Sequence, residues 1–266
     1  MSAQNRNIVI HKEQADFAGM RKAGSLAAKL LDAMAVHVKP GVSTNYLNDV
    51  CHQMTIEAGA IPAPLGYRGF PKSICTSVNH VICHGVPDDR KLKEGDIVNI
   101  DMTPIVDGWH GDSSRMFWVG EVPIKAQRLT QVSYECMMLG IEKVRAGNRL
   151  GDIGHAIQTY AEKHNYSVVR DYCGHGTGKV FHTMPNVMHY GEAGTGMVLE
   201  EGMFITVEPM INVGGYKTRL NEKDGWTVTT RDRSLSAQFE HTMAVTRDGF
   251  EIFTLSPTGR NYPPYK

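Results

Sequence analysis

Apolar and polar positions alternate with a helical period over the first part of the chain. Apolar residues recur at three- and four-residue steps between about residues 12 and 37, which predicts an amphipathic helix. Pro40-Gly41 ends this helix, and a serine–threonine pair then caps a second helix that runs to about Gly59. The segment 61–71 is rich in proline and glycine and is expected to be a loop.

Strand patterns follow, and one turn between them determines which side chains are neighbours. Residues 73–83 are predicted as a strand, and residues 96–119 as a hairpin around Asp107-Gly108, a dipeptide that favours a two-residue turn. With that turn Asp101 and Asp112 lie on one face of the hairpin, diagonally about 7–8 Å apart. A three-residue turn would place them on opposite faces.

The second half of the chain repeats the order of the first. Helices are predicted over about 126–145 and 150–164, with a glycine between them, and strands follow to the end. Gly95 and Gly202 each follow a glutamate, open an apolar strand that ends on a carboxylate, and lie 107 positions apart. We interpret this as an internal duplication.

The duplication predicts a single pseudo-symmetric domain with a site between its halves. The predicted domain covers 1–266, and its halves span about 12–120 and 126–255. Two copies are too few for a solenoid.

Composition narrows the class of protein. Of the 266 residues 41% are apolar and 21% are charged, as in ordinary globular proteins. Basic and acidic residues balance at 28 each, so no nucleic-acid partner is expected. No apolar run has the length of a signal-peptide core or a membrane span, so no membrane association is expected. The five cysteines include no C-x-x-C pair, which predicts reduced thiols and a cytoplasmic location.

Carboxylates and one histidine form a candidate metal set. Glu208 ends an apolar strand pattern and Glu240 lies inside another, where an acid is costly to bury unless it is paired or ligated. The two aspartates of the hairpin must likewise lose a charge or bind a cation, unless they are simply solvated. His175 lies among glycines that let the backbone approach closely, although a turn histidine is the alternative. Four carboxylates and one imidazole suit two divalent ions such as Mn, Fe, Co or Zn.

Two competing motifs fail. A phosphate loop ending at Gly178-Lys179 would need glycine at 173 and serine or threonine at 180, where the chain has cysteine and valine. A thiol dyad of Cys83 and His84 is not expected, because neighbours in an extended strand point to opposite faces.

Six segments resemble those of bacterial type I methionine aminopeptidases of peptidase family M24, in the same order and over essentially the whole chain. They are Val81-Ile-Cys-His-Gly-Val-Pro87, Asp96-Ile-Val-Asn-Ile-Asp101, Gly111-Asp112, Tyr172-Cys-Gly-His-Gly176, Thr206-Val-Glu-Pro-Met210 and Ser234-Leu-Ser-Ala-Gln-Phe-Glu-His-Thr242.

The resemblance implies the α+β "pita-bread" (creatinase/aminopeptidase-like) fold with two related halves, and a two-metal site. Asp101 and Asp112 would chelate one ion, His175 and Glu208 would hold the second, and Asp112 and Glu240 would bridge them. The implied activity is removal of the initiator methionine from nascent polypeptides whose second residue is small.

The resemblance also assigns roles beyond the metal ligands. Glu208 would act as general base, His182 would contact the scissile carbonyl and His84 the peptide nitrogen. The pocket for the methionine side chain would be formed, besides the two histidines, by Tyr67, Phe70, Cys75, Phe181 and Trp226. A monovalent cation, Na or K, would be held by Asn79, Val81 and Ser236. For each of these residues, an ordinary core or loop role is the alternative.

The chain departs from its relatives beside the cleft. Pro64 stands where some relatives have a pocket cysteine, and His80 where an acid is common. Thr183-Met184 follows His182 where some relatives have two acids. These differences affect the expected pocket detail and the tolerance of the second substrate residue.

The subtype and the partners follow from the same resemblance. Neither the long insertion of type II enzymes nor a Cys/His-rich extension is evident, so a monomeric bacterial-type enzyme is expected, with transient ribosome contact. Two alternatives stay open: a related two-metal peptidase that cleaves X-Pro bonds, and a non-enzymatic binder of ribosomes or nascent chains on the same scaffold.

Overall fold

A computed structural model gives the fold of this chain and describes residues 8–265. The helices are α1 (Gln14–Met34), α2 (Thr44–Glu57), α3 (Ile124–Ile141) and α4 (Leu150–Lys163). The strands are β1 (Ile61–Pro62), β2 (Cys75–Val78), β3 (Val81–Cys83), β4 (Ile97–Met102), β5 (Pro104–Val106), β6 (Trp109–His110), β7 (Ser113–Trp118), β8 (Ser167–Val168), β9 (Gly174–Gly176), β10 (Thr183–Val187), β11 (Phe204–Val207), β12 (Met210–Asn212), β13 (Thr218–Leu220), β14 (Val228–Thr230), β15 (Ser236–Gln238), β16 (His241–Val245) and β17 (Phe250–Ile252).

All four predicted helices form, within a few residues of the predicted ends. The Ser43 hydroxyl accepts a hydrogen bond from the Tyr46 amide at 3.1 Å and so caps α2, as predicted. Gly41 has a φ of 89°, a left-handed conformation that cannot continue a helix. Within residues 8–265, no helix combines the length and apolarity needed to cross a membrane.

The predicted hairpin has the predicted register. Asp101 pairs with Ser114 and Val106 with Trp109, which leaves Asp107 and Gly108 as a two-residue turn. Both turn residues have positive φ, 51° and 84°, as a primed hairpin turn requires.

Two strand predictions were wrong in detail. The predicted strand 73–83 is two strands, β2 and β3, because Asn79 has a φ of 56° and turns the chain between them. The predicted loop 61–71 contains the short strand β1, paired with β5, and a 3-10 turn over Tyr67–Gly69.

One arrangement of helices and strands occurs twice. In the first half α1 and α2 precede an antiparallel ladder in which β4 lies between β2 and β7. In the second half α3 and α4 precede a ladder in which β11 lies between β9 and β16. The two ladders meet where the Glu240 amide donates to the Ser114 carbonyl at 3.0 Å.

The boundaries predicted for the two halves and the single domain over 1–266 stay predictions, and residues 1–7 and 266 lie outside the described range.

The helices cover the outer faces of the ladders and form the core with them. Residues of α3 and α4 pack against β11, β12 and β16 in one buried apolar cluster, and residues of α1 and α2 pack against β4 and β7 in another. The first-half core also contains an ion pair between Arg115 of β7 and Asp32 of α1, with a nitrogen–oxygen distance of 2.5 Å. The Arg115 side chain is only 1% exposed.

Candidate metal centre and substrate cleft

A cavity of about 980 Å³ lies where the two ladders meet. All five predicted metal ligands line it: Asp101, Asp112, His175, Glu208 and Glu240. The predicted substrate contacts line it as well: Tyr67, Phe70, Cys75, His84, Phe181, His182 and Trp226. The structure therefore brings residues up to 173 positions apart in sequence to one surface.

The acids stand at equivalent places on the two ladders. Asp101 lies near the end of β4 and Glu208 directly follows β11, the central strands. Asp112 directly precedes β7 and Glu240 directly precedes β16, their antiparallel partners. Each hairpin-like pair therefore presents two carboxylates at one end, and the Ser114–Glu240 bridge holds these ends together.

His175 occupies the middle of β9, with a glycine on either side. A Cβ at Gly174 would lie 2.5 Å from the Thr206 carbonyl oxygen, and a Cβ at Gly176 would lie 2.2 Å from that of Met184. Only glycine fits at these positions, and β9 therefore packs closely enough to bring His175 over the acids. Its Nε2 lies 3.4 Å from Asp112 Oδ2 and 3.5 Å from Glu208 Oε1.

This donor set suits divalent ions. Ligand atoms of Asp112, His175 and Glu240 lie within 4.8 Å of one another, and Glu208 reaches the same imidazole nitrogen. Asp101 lies outside that close group but lines the same cavity. Clustered carboxylate oxygens with one imidazole are ligands that Mn, Fe, Co and Zn accept.

The ionisation of the cluster shows the same need for a cation. Burial and then the neighbouring carboxylates raise the pKa of Asp101 and Glu240 well above the usual range, and burial raises the pKa of Glu208 to about 7. Burial opposes ionisation of Asp112 too, but its hydrogen bonds to His175 and Thr103 and the nearby histidine charges together outweigh burial and lower its pKa. Buried like charges at this spacing require protons or metal ions.

Three polar side chains that the sequence analysis did not identify orient the acids. Thr103 Oγ1 donates to Asp112 Oδ1 at 2.7 Å, and Thr206 Oγ1 donates to Glu208 Oε1 at 2.8 Å. Gln238 Nε2 donates to Glu208 Oε2 at 3.2 Å. Thr206 precedes Glu208 by two positions, a strand spacing that places both on one face and is the signal that was available. Gln238 lies 30 positions from the acid that it contacts, and no local spacing connects them.

His189 was also missed. Its Nε2 accepts a hydrogen bond from the Glu208 amide at 3.1 Å, and burial lowers its pKa to about 3, so the ring is neutral. It lies 19 positions before Glu208, and no periodicity in the sequence connects the two.

The predicted side-chain pocket is aromatic. Phe70 meets Trp226 edge to face with ring centroids 5.2 Å apart, and Tyr67 meets Phe181 in the same way at 5.0 Å. Cys75 is buried, and burial together with the Asp101 charge raises its thiol pKa well above the usual range, so the thiol is neutral. Neutral sulfur and aromatic faces make favourable contacts with a thioether.

The sequence analysis excluded a Cys83–His84 dyad on the expectation that both residues lie in one extended strand, and that expectation was wrong. β3 ends at Cys83, and His84 has a φ of 54°, so the pair is not extended and both side chains line the cleft. Burial and the charge of Glu208 raise the Cys83 pKa well above its usual range. A neutral buried thiol is a poor nucleophile, so no dyad is indicated.

The three residues of the predicted monovalent-cation site also lie together. The Ser236 amide donates to the Asn79 carbonyl at 2.8 Å, and β14 pairs with Val81. Ser236 Oγ is buried and has no hydrogen-bond partner among the described residues. A buried oxygen normally has a partner, and a bound cation would provide one here.

The residues that differ from the related enzymes were expected beside the cleft, and all but one lie there. Pro64, Thr183 and Met184 line the cleft. His80 is not part of the lining; its carbonyl accepts from the Thr230 amide instead.

Comparison with known proteins identifies the family. A model of metallopeptidase family M24 matches residues 18–247, and the chain belongs to this family. It is 67% identical over 258 residues to the methionine aminopeptidase of Rickettsia prowazekii (strain Madrid E), which covers 97% of this chain and 99% of that protein.

Solved structures confirm the predicted pita-bread fold. The crystal structure of methionine aminopeptidase from Rickettsia prowazekii matches with a TM-score of 0.92 and 66% identity, over 93% of this chain and all of that one (100%). An Xaa-Pro dipeptidase from Bacillus anthracis matches with a TM-score of 0.75 and 22% identity, over 93% of this chain and 62% of that one, which shows the shared fold alone.

Proposed function

We propose that this chain removes the N-terminal initiator methionine from nascent polypeptides whose second residue is small. The observation that carries the proposal is a single cleft that joins a carboxylate–imidazole cluster to an aromatic and thiol-lined pocket. The high identity to methionine aminopeptidases over nearly the whole chain supports this substrate, whereas the likeness to the X-Pro enzyme is one of fold.

In this proposal five side chains hold two divalent ions, Co, Mn, Fe or Zn. Asp101 and Asp112 would hold one ion, His175 and Glu208 would hold the other, and Asp112 and Glu240 would contribute to both. When bound, such ions polarise a carbonyl and lower the pKa of a water so that it attacks at neutral pH. Asn79, Val81 and Ser236 bind one Na or K ion beside the site.

The remaining residues bind and orient the peptide. Tyr67, Phe70, Cys75, Phe181 and Trp226 enclose the methionine side chain. His182 donates a hydrogen bond to the scissile carbonyl, whose charge grows in the transition state, and His84 contacts the peptide nitrogen. Glu208 accepts the proton of the attacking water.

The physiological partners follow from the substrate. Nascent N-termini emerge at the ribosome in the cytoplasm, so we propose that the enzyme acts there as a monomer with transient ribosome contact. The balanced charge of the chain gives no reason to require nucleic acid.

Methionine release from Met-Ala-Ser tests the function. Chelator-treated protein should release no methionine, and added Mn or Co should restore release. Leu-Ala-Ser and Gly-Pro peptides should stay intact, because the first does not match the pocket and the second has no methionine.

Each outcome of this assay is decisive. Cleavage of Gly-Pro in preference to Met-Ala-Ser would identify an X-Pro peptidase. Folded protein that binds metal but releases nothing with any divalent ion would indicate a binding protein on the same scaffold.

A further inference from the structure

A tyrosine hydroxyl contacts His182, one of the three histidines that line the cleft. The Tyr67 hydroxyl oxygen lies 3.0 Å from His182 Nδ1, a hydrogen-bond distance, and the two rings are 5.1 Å apart at a tilt of 36°. Among the described residues the Tyr67 hydroxyl has no other hydrogen-bond partner.

The tyrosine is held in place by its own turn and by a neighbour. The Tyr67 amide donates to the Pro64 carbonyl at 3.0 Å, and the Phe70 amide donates back to the Tyr67 carbonyl at 2.9 Å. The Phe181 ring meets the Tyr67 ring edge to face. The phenol therefore needs no reorganisation to reach His182.

This contact is coupled to the tautomer of His182, because the direction of the hydrogen bond depends on which imidazole nitrogen carries the hydrogen. A neutral imidazole has one N–H donor and one acceptor nitrogen. If the tyrosine O–H donates to Nδ1, the imidazole hydrogen must be on Nε2, and His182 lines the cleft in which the substrate would bind. A neutral imidazole can stabilise a carbonyl oxygen only through its N–H, so this tautomer is the productive one.

We propose that Tyr67 is a positioning residue that donates its hydroxyl hydrogen to His182 Nδ1 and thereby presents His182 Nε2–H to the scissile carbonyl. The proposal rests on the proposed function for its catalytic consequence. It gives Tyr67 a role beyond that of a wall of the methionine pocket.

Tyr67→Phe isolates this role, because it removes the hydroxyl and keeps the ring. We expect kcat for Met-Ala-Ser to fall about tenfold, the worth of one hydrogen bond of about 1.4 kcal/mol. KM and metal content should change less than about twofold, since the pocket wall and the ligands are unaltered. A raised KM with unchanged kcat would overturn the proposal and leave Tyr67 as a pocket wall.

The chain offers a matched control. The Tyr46 hydroxyl also lies 3.0 Å from a histidine Nδ1, that of His37, outside the lining of the cleft. Tyr46→Phe breaks the same kind of hydrogen bond and should leave kcat unchanged.

A double-mutant cycle with His182→Ala tests whether the hydroxyl acts through the imidazole. Tyr67→Phe should cost nothing further in the His182→Ala background. An equal loss in both backgrounds would mean that the hydroxyl acts on the substrate directly, and the proposal would be wrong.

The tautomer is measurable without turnover. In zinc-loaded protein, nitrogen NMR of labelled histidine should show His182 protonated at Nε2, assigned by the signal that His182→Ala removes. Tyr67→Phe should mix the tautomers. Protonation at Nδ1 in the unaltered protein would overturn the inference even if methionine is released, and absence of methionine release with the expected tautomer would count against the proposed function alone.

Discussion

The two halves of the molecule share one strand arrangement but contribute unequally to the site. In each ladder the central strand and its partner present two carboxylates, aspartates in the first half and glutamates in the second. The outer strands differ. β2 places Cys75 opposite Asp101, whereas β9 places His175 over the acids.

This difference shows how a repeated backbone acquires an asymmetric function. The ladder determines where a side chain stands, and the residue type determines what it does there. Cys75, which provides the neutral thiol, comes from the first half, and His175, the proposed imidazole ligand, comes from the second, whereas each half provides two of the four pocket aromatics.

The largest expected effect concerns Asp112 and Glu240, the two acids that we propose as shared ligands of both ions. Asp112→Asn and Glu240→Gln should each reduce methionine release by roughly 100-fold or more, because each alters a proposed metal ligand, and loss of a group that only supports a ligand already costs up to about 100-fold. The two losses should be similar, since each half contributes one bridge. Activity assays with metal analysis measure this; near-native activity with both ions bound would contradict the bridging assignment.

A second comparison concerns two ion pairs of the first half, one buried and one exposed. Asp32→Ala leaves the buried Arg115 charge without its partner and should lower the free energy of unfolding by about 3 kcal/mol. Lys22→Ala removes an exposed pair with Asp107 and should change it by less than about 1 kcal/mol. Urea unfolding curves measure both. Equal midpoints would show that the buried pair does not stabilise the first half.

The smallest expected effect compares the threonines that orient one acid in each half. Thr103→Val removes a donor to Asp112, and Thr206→Val removes a donor to Glu208, so each should weaken metal binding by about tenfold. Thr206→Val should cost more, because the His175 amide also donates to Thr206 Oγ1 at 3.0 Å. Calorimetric titration with Mn measures the metal affinity of both variants. A larger loss of affinity in Thr103→Val than in Thr206→Val would contradict this prediction.

Local patterns predicted much of the fold and the carboxylates. The helices followed from apolar periodicity, and the Asp107-Gly108 turn predicted the register that makes Asp101 and Asp112 neighbours. These features depend on residues close in sequence, where the backbone allows few alternatives. The split of β2 from β3 was not predicted, because Asn79 takes a positive φ that only its surroundings select.

The sequence by itself determined the helices, the hairpin register, the candidate ligands and the resemblance that joined them. Only the tertiary structure decided which groups contact them. His189 accepts from the Glu208 amide, the Tyr67 hydroxyl lies at His182 Nδ1, and Asp32 pairs with Arg115. Each of these contacts joins groups that lie 19 or more positions apart in sequence. Their distances depend on how the two ladders and their helices pack together, and no local period along the chain records that packing.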